Sequence, residues 1–156
     1  MRMNELESII DRIENGSLLP ASLFRVVVDD VLKQRECPDF AKPWRRLQTK
    51  IDKATRRHTL PVCARRQLAT LREVAFIRVY DFTEHPDLAG TVSDDFGLIG
   101  GALLTAVDDE WLNGLWSEYR EHRFPCCNIR PLPGRLCELL LDVPHVPQSA
   151  GERQRP

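Results

Sequence analysis

The chain has 156 residues, a formal net charge of −1, 42% hydrophobic and 29% charged side chains. That length suits one domain with a real core, and the near-neutral balance supplies no global field to hold nucleic acid or a membrane. The opening residues MRMNELESIIDRI carry charges throughout, unlike a secretory signal. No apolar run nears the roughly 20 residues of a membrane span.

Five cysteines, an odd number without a secretion signal, point to reduced thiols in a cytosol. The charge is unevenly laid out. Residues 41–72 hold ten Lys or Arg against one acid, and residues 73–121 hold eleven acids against two Arg. The two blocks are expected to face each other in part, with the surplus solvated.

In chain order, Asn4 and Glu7 form a capping box for a first helix whose stripe is Leu6, Ile9, Ile10 and Ile13. Gly16 ends it. Pro20 opens a second helix over 21–35, with Leu23, Phe24, Val27, Val28, Val31 and Leu32 inward. Residues 36–42 read as a loop anchored by Phe40. Pro43 suits the first position of a third helix, which sets Trp44, Leu47, Ile51 and Ala54 inward and Arg45, Arg46, Lys50, Lys53, Arg56 and Arg57 outward. A fourth helix follows Pro61, with Leu68, Leu71, Ala75 and Val79 inside, Val74 and Ile77 expected beside them, and Arg65, Arg66 and Arg72 in its first half.

Residues 81–92 read as the longest internal loop. Ser93 then caps a central helix, with Asp94 and Asp95 in its first turn against the positive end of the dipole. Phe96, Ile99, Ala102, Leu103, Ala106 and Val107 recur at helical spacing. Gly97, Gly100 and Gly101 each cost about 1 kcal/mol against Ala, which close approach of another helix would offset. Asp108 caps a sixth helix. Its aromatic face of Trp111, Leu112, Leu115, Trp116 and Tyr119 reads as core for both tryptophans, and Pro125 stops it. Residues 135–141 form a short apolar segment, and the Pro- and Gly-bearing stretch after it reads as disordered. The expected fold is an all-α compact bundle of about six helices, a single domain over 1–141 with a flexible tail over 142–156.

Four groupings bear on chemistry. Asp81, Glu84, His85, Asp87, Asp94 and Asp95 fall within fifteen residues, and oxygen ligands with a histidine suit a hard cation or acid–base work. A metal-dependent enzyme using 81–95 is therefore one alternative, against the plain reading of caps and turns. His122, Cys126, Cys127 and Cys137 are zinc ligand types, but adjacent cysteines suit one tetrahedral site poorly and no C-x-x-C occurs. Arg45, Arg46, Arg56, Arg57, Arg65 and Arg66 offer a second alternative, a nucleic-acid accessory surface on helices 43–72. No G-x-S-x-G, P-loop or dinucleotide fingerprint is present, and the sequence calls for no cofactor and no metal.

The fourth grouping is protein binding. Asp108, Asp109, Glu110, Glu118, Tyr119 and Glu121 combine charge with an aromatic anchor, as interface hot spots do. In general character, and through no motif, a small helical domain with an acidic, aromatic-bearing half resembles the bacterial inhibitor or immunity proteins that occlude a toxin. The resemblance implies a non-catalytic cytoplasmic protein whose partner is another protein with a basic surface.

Overall fold

In the computed structural model, which describes residues 3–141, helices α1 (Met3–Glu14), α2 (Val28–Arg35), α3 (Pro38–Arg57), α4 (Val62–Thr83), α5 (Pro86–Thr105), α6 (Glu110–Arg120) and α7 (Leu136–Leu139) follow one another, with a 3-10 turn at Ala21–Phe24. No strand occurs among the described residues. The architecture is the expected all-α bundle. The tail over 142–156 lies outside the described residues.

The bundle is built around α5. Leu88, Val92, Phe96, Ile99 and Leu103 are buried on one side of it, and Leu98 and Ala102 on another. A helix apolar on most of its circumference must lie inside. α4 packs along it, α3 crosses it, and α1 lies on α4 and touches α5, whereas α3 and α4 hardly meet. The glycines make this approach possible. A Cβ at Gly100 would sit 2.7 Å from Leu68, and one at Gly101 would sit 3.0 Å from Ile51. The expected close approach is thus real, with α4 on one side and α3 on the other.

Several boundaries differ from the sequence reading. α1 already includes Met3, so Asn4 lies inside it and does not cap it. α5 ends at Thr105, with Ala106 exposed and left-handed (φ 53). The loop expected over 81–92 is two residues long. α4 ends at Thr83 with Glu84 left-handed (φ 52), and α5 starts at Pro86. The His85 ring caps it, Nδ1 accepting from the Leu88 amide at 3.2 Å, and proline suits the first helical position because its missing N–H is not needed there. Ser93 is therefore no cap. It lies mid-helix and its hydroxyl donates to the Arg72 carbonyl at 2.9 Å, tying α5 to α4.

The helix expected over 21–35 is broken into the 3-10 turn and α2, and Val27, expected in the core, precedes α2 at 66% exposure. α3 starts at Pro38 rather than Pro43, so Pro43 lies inside the helix, within its second turn. One backbone bond is lost there. Finally, Asp109 rather than Asp108 caps α6. Its Oδ1 accepts from the Trp111 and Leu112 amides at 2.9 and 3.2 Å. After α6 the chain lacks regular structure over 123–135 but is pinned. The fully buried Asn113 side chain donates to the carbonyls of Leu132 (3.0 Å) and Gly134 (2.9 Å).

Candidate functional site

The most polar feature of the interior is centred on Asp95, which is fully buried. Arg35 of α2 meets it with two hydrogen bonds, Nη2 to Oδ1 at 2.6 Å and Nη1 to Oδ2 at 2.9 Å. Trp44 Nε1 of α3 donates to Oδ1 at 2.9 Å, and the Tyr119 hydroxyl of α6 donates to Oδ2 at 2.6 Å. Arg35 also donates to the Pro125 carbonyl at 3.0 Å and lies 4.1 Å over the Phe40 ring. One carboxylate thus receives four hydrogen bonds from three helices, which is how a buried charge is made tolerable. Burial works against the Arg35 cation, but Asp95 and Tyr119 outweigh it and raise its pKa. Burial, then the Asp95 charge, pushes the Tyr119 phenol well above its ordinary value.

This arrangement settles where the acidic 81–95 stretch goes. Asp95 is consumed by the buried cluster, Asp94 pairs with Arg72 at 2.7 Å on the surface, and His85 caps α5. Asp81 and Asp87 are exposed on different helices. Among the described residues no group of three or more His, Cys, Asp or Glu is arranged to hold a metal ion. That includes His122, Cys126, Cys127 and Cys137. His122 Nε2 lies 2.8 Å from the Ser17 carbonyl oxygen, joining the ends of α1 and α6. Burial and the neighbouring Cys127 push the Cys126 thiol up, away from the reactive thiolate.

Of the residues expected to meet a protein partner, Asp108, Glu110 and Glu121 are exposed. Asp109 is spent on capping and on Arg46, at 2.9 Å. Burial opposes its ionisation, but the Arg46 and backbone hydrogen bonds outweigh that and lower its pKa. Glu118 is held by Arg123 through two bonds at 3.0 and 3.1 Å. Tyr119 corrects the expectation outright. It is fully buried against Phe96 and Asp95 and reaches no surface. Trp111 and Trp116 are core, as their spacing implied. Arg45, Arg46, Arg56, Arg57, Arg65 and Arg66 are all exposed. Arg46–Asp109 and Arg72–Asp94 join the basic block to the acidic one, leaving the rest of the basic face to solvent.

Exposed aromatic surface exists elsewhere, on the second half of α4. Ile77 is 48% exposed, Tyr80 43% and Phe82 45%. Tyr80 stacks on Phe76 with ring centroids 6.0 Å apart, and Phe82 stacks on Phe24 under the Arg78 guanidinium. Glu73, Asp81 and Glu84 stand exposed around them. Helical periodicity alone would have singled out this stripe, because Ile77 falls off the inner face of Leu71, Ala75 and Val79.

Open grooves flank α3, and two of them reach Asp94. One, of about 440 Å³, runs beside the buried cluster past Phe40, Trp44, Asp87 and Thr91. The other, of about 330 Å³, lies between α3 and α4 with Gly97 and Gly101 in its floor. No described helix is long and apolar enough to cross a membrane.

A family model described as "Immunity protein PIM1" matches residues 8–126. The match runs from within α1 to just past α6, and so includes every residue of the Asp95 cluster. No curated protein matches the chain.

Proposed function

The chain belongs to the PIM1 immunity protein family, and from that premise we propose that it works without chemistry, binding another protein and covering the surface that protein works with. The carrying observation is how its reactive groups are used. Asp95 lies under four hydrogen bonds, and the His85 ring caps a helix. These are fold-holding duties, and they leave exposed carboxylates such as Asp81 and Glu84 to meet a partner. Acidic surface against a basic partner gives fast and selective association.

Native mass spectrometry of the protein isolated gently at low salt from its own cells tests this. The expected result is a second polypeptide at fixed stoichiometry. A bare chain carrying a metal-sized mass increment would overturn the reading. Co-isolated nucleic acid whose binding falls steeply with salt would instead favour the exposed arginines of α3 and α4 as the working surface.

A further inference from the structure

We infer that the outer face of the second half of α4 is the docking surface for that partner, and that the partner meets it with a basic face bearing an apolar socket. This rests on the immunity-type reading and adds the place and chemistry of contact. At 100° per residue, Glu73, Ile77, Tyr80 and Asp81 fall within about 100° of arc, and Glu84 follows at the end of the helix. All five are exposed. The stripe is thus an aliphatic and an aromatic side chain set among three carboxylates. None of the three carboxylates makes an ion pair with the described residues, whereas Asp94, Asp95, Asp109 and Glu118 do.

One cation beside this face, Arg78, is already engaged. Arg78 donates to the Leu19 carbonyl at 3.1 Å and covers Phe82. Across a cleft of about 220 Å³, Glu14 of α1 adds a further exposed carboxylate beside Ile77 and Asp81. Tyr80 is held by its stack on Phe76, so little side-chain freedom is lost when it enters a socket. An ordered tyrosine flanked by carboxylates is the kind of anchor a binding hot spot uses.

The charge decides between occupants. An anionic lipid surface would be repelled. A second copy fits in neither antiparallel register. If Ile77 meets Tyr80 of the partner helix, Glu73 faces Glu84. If Arg66 meets Asp81, then Ile77 faces Thr70 and Tyr80 faces Gln67. A partner with Lys or Arg around an apolar hollow satisfies both parts of the stripe.

The test uses the polypeptide that co-isolates with the wild-type chain, separated from it and immobilised. Full-length wild type, Tyr80→Ala, Ile77→Ala and Asp81→Lys are passed over it, with Glu110→Lys and Arg56→Ala as controls, all checked for helicity. Tyr80→Ala or Ile77→Ala is expected to weaken binding about thirtyfold or more through faster dissociation. Asp81→Lys is expected to slow association about tenfold. The controls should stay within about twofold. Unchanged binding by the α4 variants with loss in Glu110→Lys overturns this placement and leaves the immunity-type reading standing. If no polypeptide co-isolates, both fall. Sedimentation and hydrogen exchange on the free protein cover other occupants. A dimer abolished by Tyr80→Ala, or faster exchange over 73–84 after deletion of 142–156, would assign the face to a second copy or to the chain's own terminus and overturn the proposal.

Discussion

Both carboxylate oxygens of Asp95 face the guanidinium of Arg35, at 2.6 and 2.9 Å, across sixty residues of sequence. The pair is buried, so the desolvation of two charges is set against their attraction. What makes it favourable to keep is its role as a junction. α2, α3 and α6 each send a donor to one point on α5. Removing one member leaves the other charged and dry. Asp95→Ala is expected to cost about 3–5 kcal/mol of unfolding free energy. Arg35→Met with Asp95→Leu is expected to cost less than the two single changes together, with a coupling of about 1–3 kcal/mol. Urea denaturation followed by far-UV circular dichroism gives all four corners of the cycle. Strict additivity would contradict the junction.

Tyr119 carries a pH dependence of definite sign. Burial first, then the Asp95 charge, raises its folded pKa well above the ordinary phenol. In the unfolded chain it ionises near pH 10. Above that pH the folded state holds one more proton than the unfolded state, so stability is complete below about pH 10 and declines as pH rises further. Absorbance at 295 nm should show the Tyr119 phenolate appearing only together with unfolding. Tyr119→Phe should flatten the alkaline limb of stability while lowering stability at pH 7 through the lost bond to Asp95. An alkaline limb unchanged by Tyr119→Phe would place its cause elsewhere.

Two glycines should respond to alanine in opposite directions. Gly90 sits inside α5, and a Cβ there meets nothing within 4 Å. Gly90→Ala removes unfolded-state freedom with no new contact, and about 0.4–1 kcal/mol of stabilisation is expected. Gly114 lies in α6 against the returning chain, where a Cβ would run into the Arg130 carbonyl and stand 2.7 Å from Ile129. Backbone cannot give way as a side-chain end can. Gly114→Ala should therefore cost about 1–3 kcal/mol and loosen residues 129–134. Thermal melts with amide exchange over that segment check both.

Local pattern carried the apolar stripes. Leu6, Ile9 and Ile13 of α1 are buried as their spacing implies, and so are Trp111 and Trp116 of α6. It failed where a residue's role is set by something distant. Ser93, Asp94 and Asp95 ahead of an apolar run look like a cap and first turn, yet Asp95 answers Arg35, and Ser93 answers a carbonyl of α4. No local signal separates an acid that caps from one that pairs across the core. Tyr119 misled in the same way. An aromatic ring among acids has the make-up of an interface anchor, while its hydroxyl's partner is the carboxylate that reads as a first-turn acid. The signal overlooked on the exposed side was ordinary: Ile77 and Tyr80 stand off the inner face of α4 among acids.

Asp109 joins α6 to α3, and its two tasks can be separated. As cap it accepts from the Trp111 and Leu112 amides. As anion it meets Arg46, whose side chain is 54% exposed, so solvent screens that attraction. The cap should therefore dominate. Asp109→Ala is expected to cost about 1 kcal/mol or somewhat more, while Asp109→Asn, which still caps, should recover most of the loss. The Asp109 pKa is lowered in the fold, because the bonds from Arg46 and the backbone outweigh burial. The stability tied to its charge is thus fully present above the unfolded carboxyl value near 3.9 and is lost as pH falls through the lower folded value. Asp109→Asn should remove that part of the acid limb, so that the variant falls below wild type at pH 7 only by the solvent-screened charge contribution and converges with it near pH 2. Urea titrations between pH 2 and pH 7 measure the difference. An asparagine variant as unstable at pH 7 as the alanine one would mean that the ion pair, and not the cap, fixes α6 to α3.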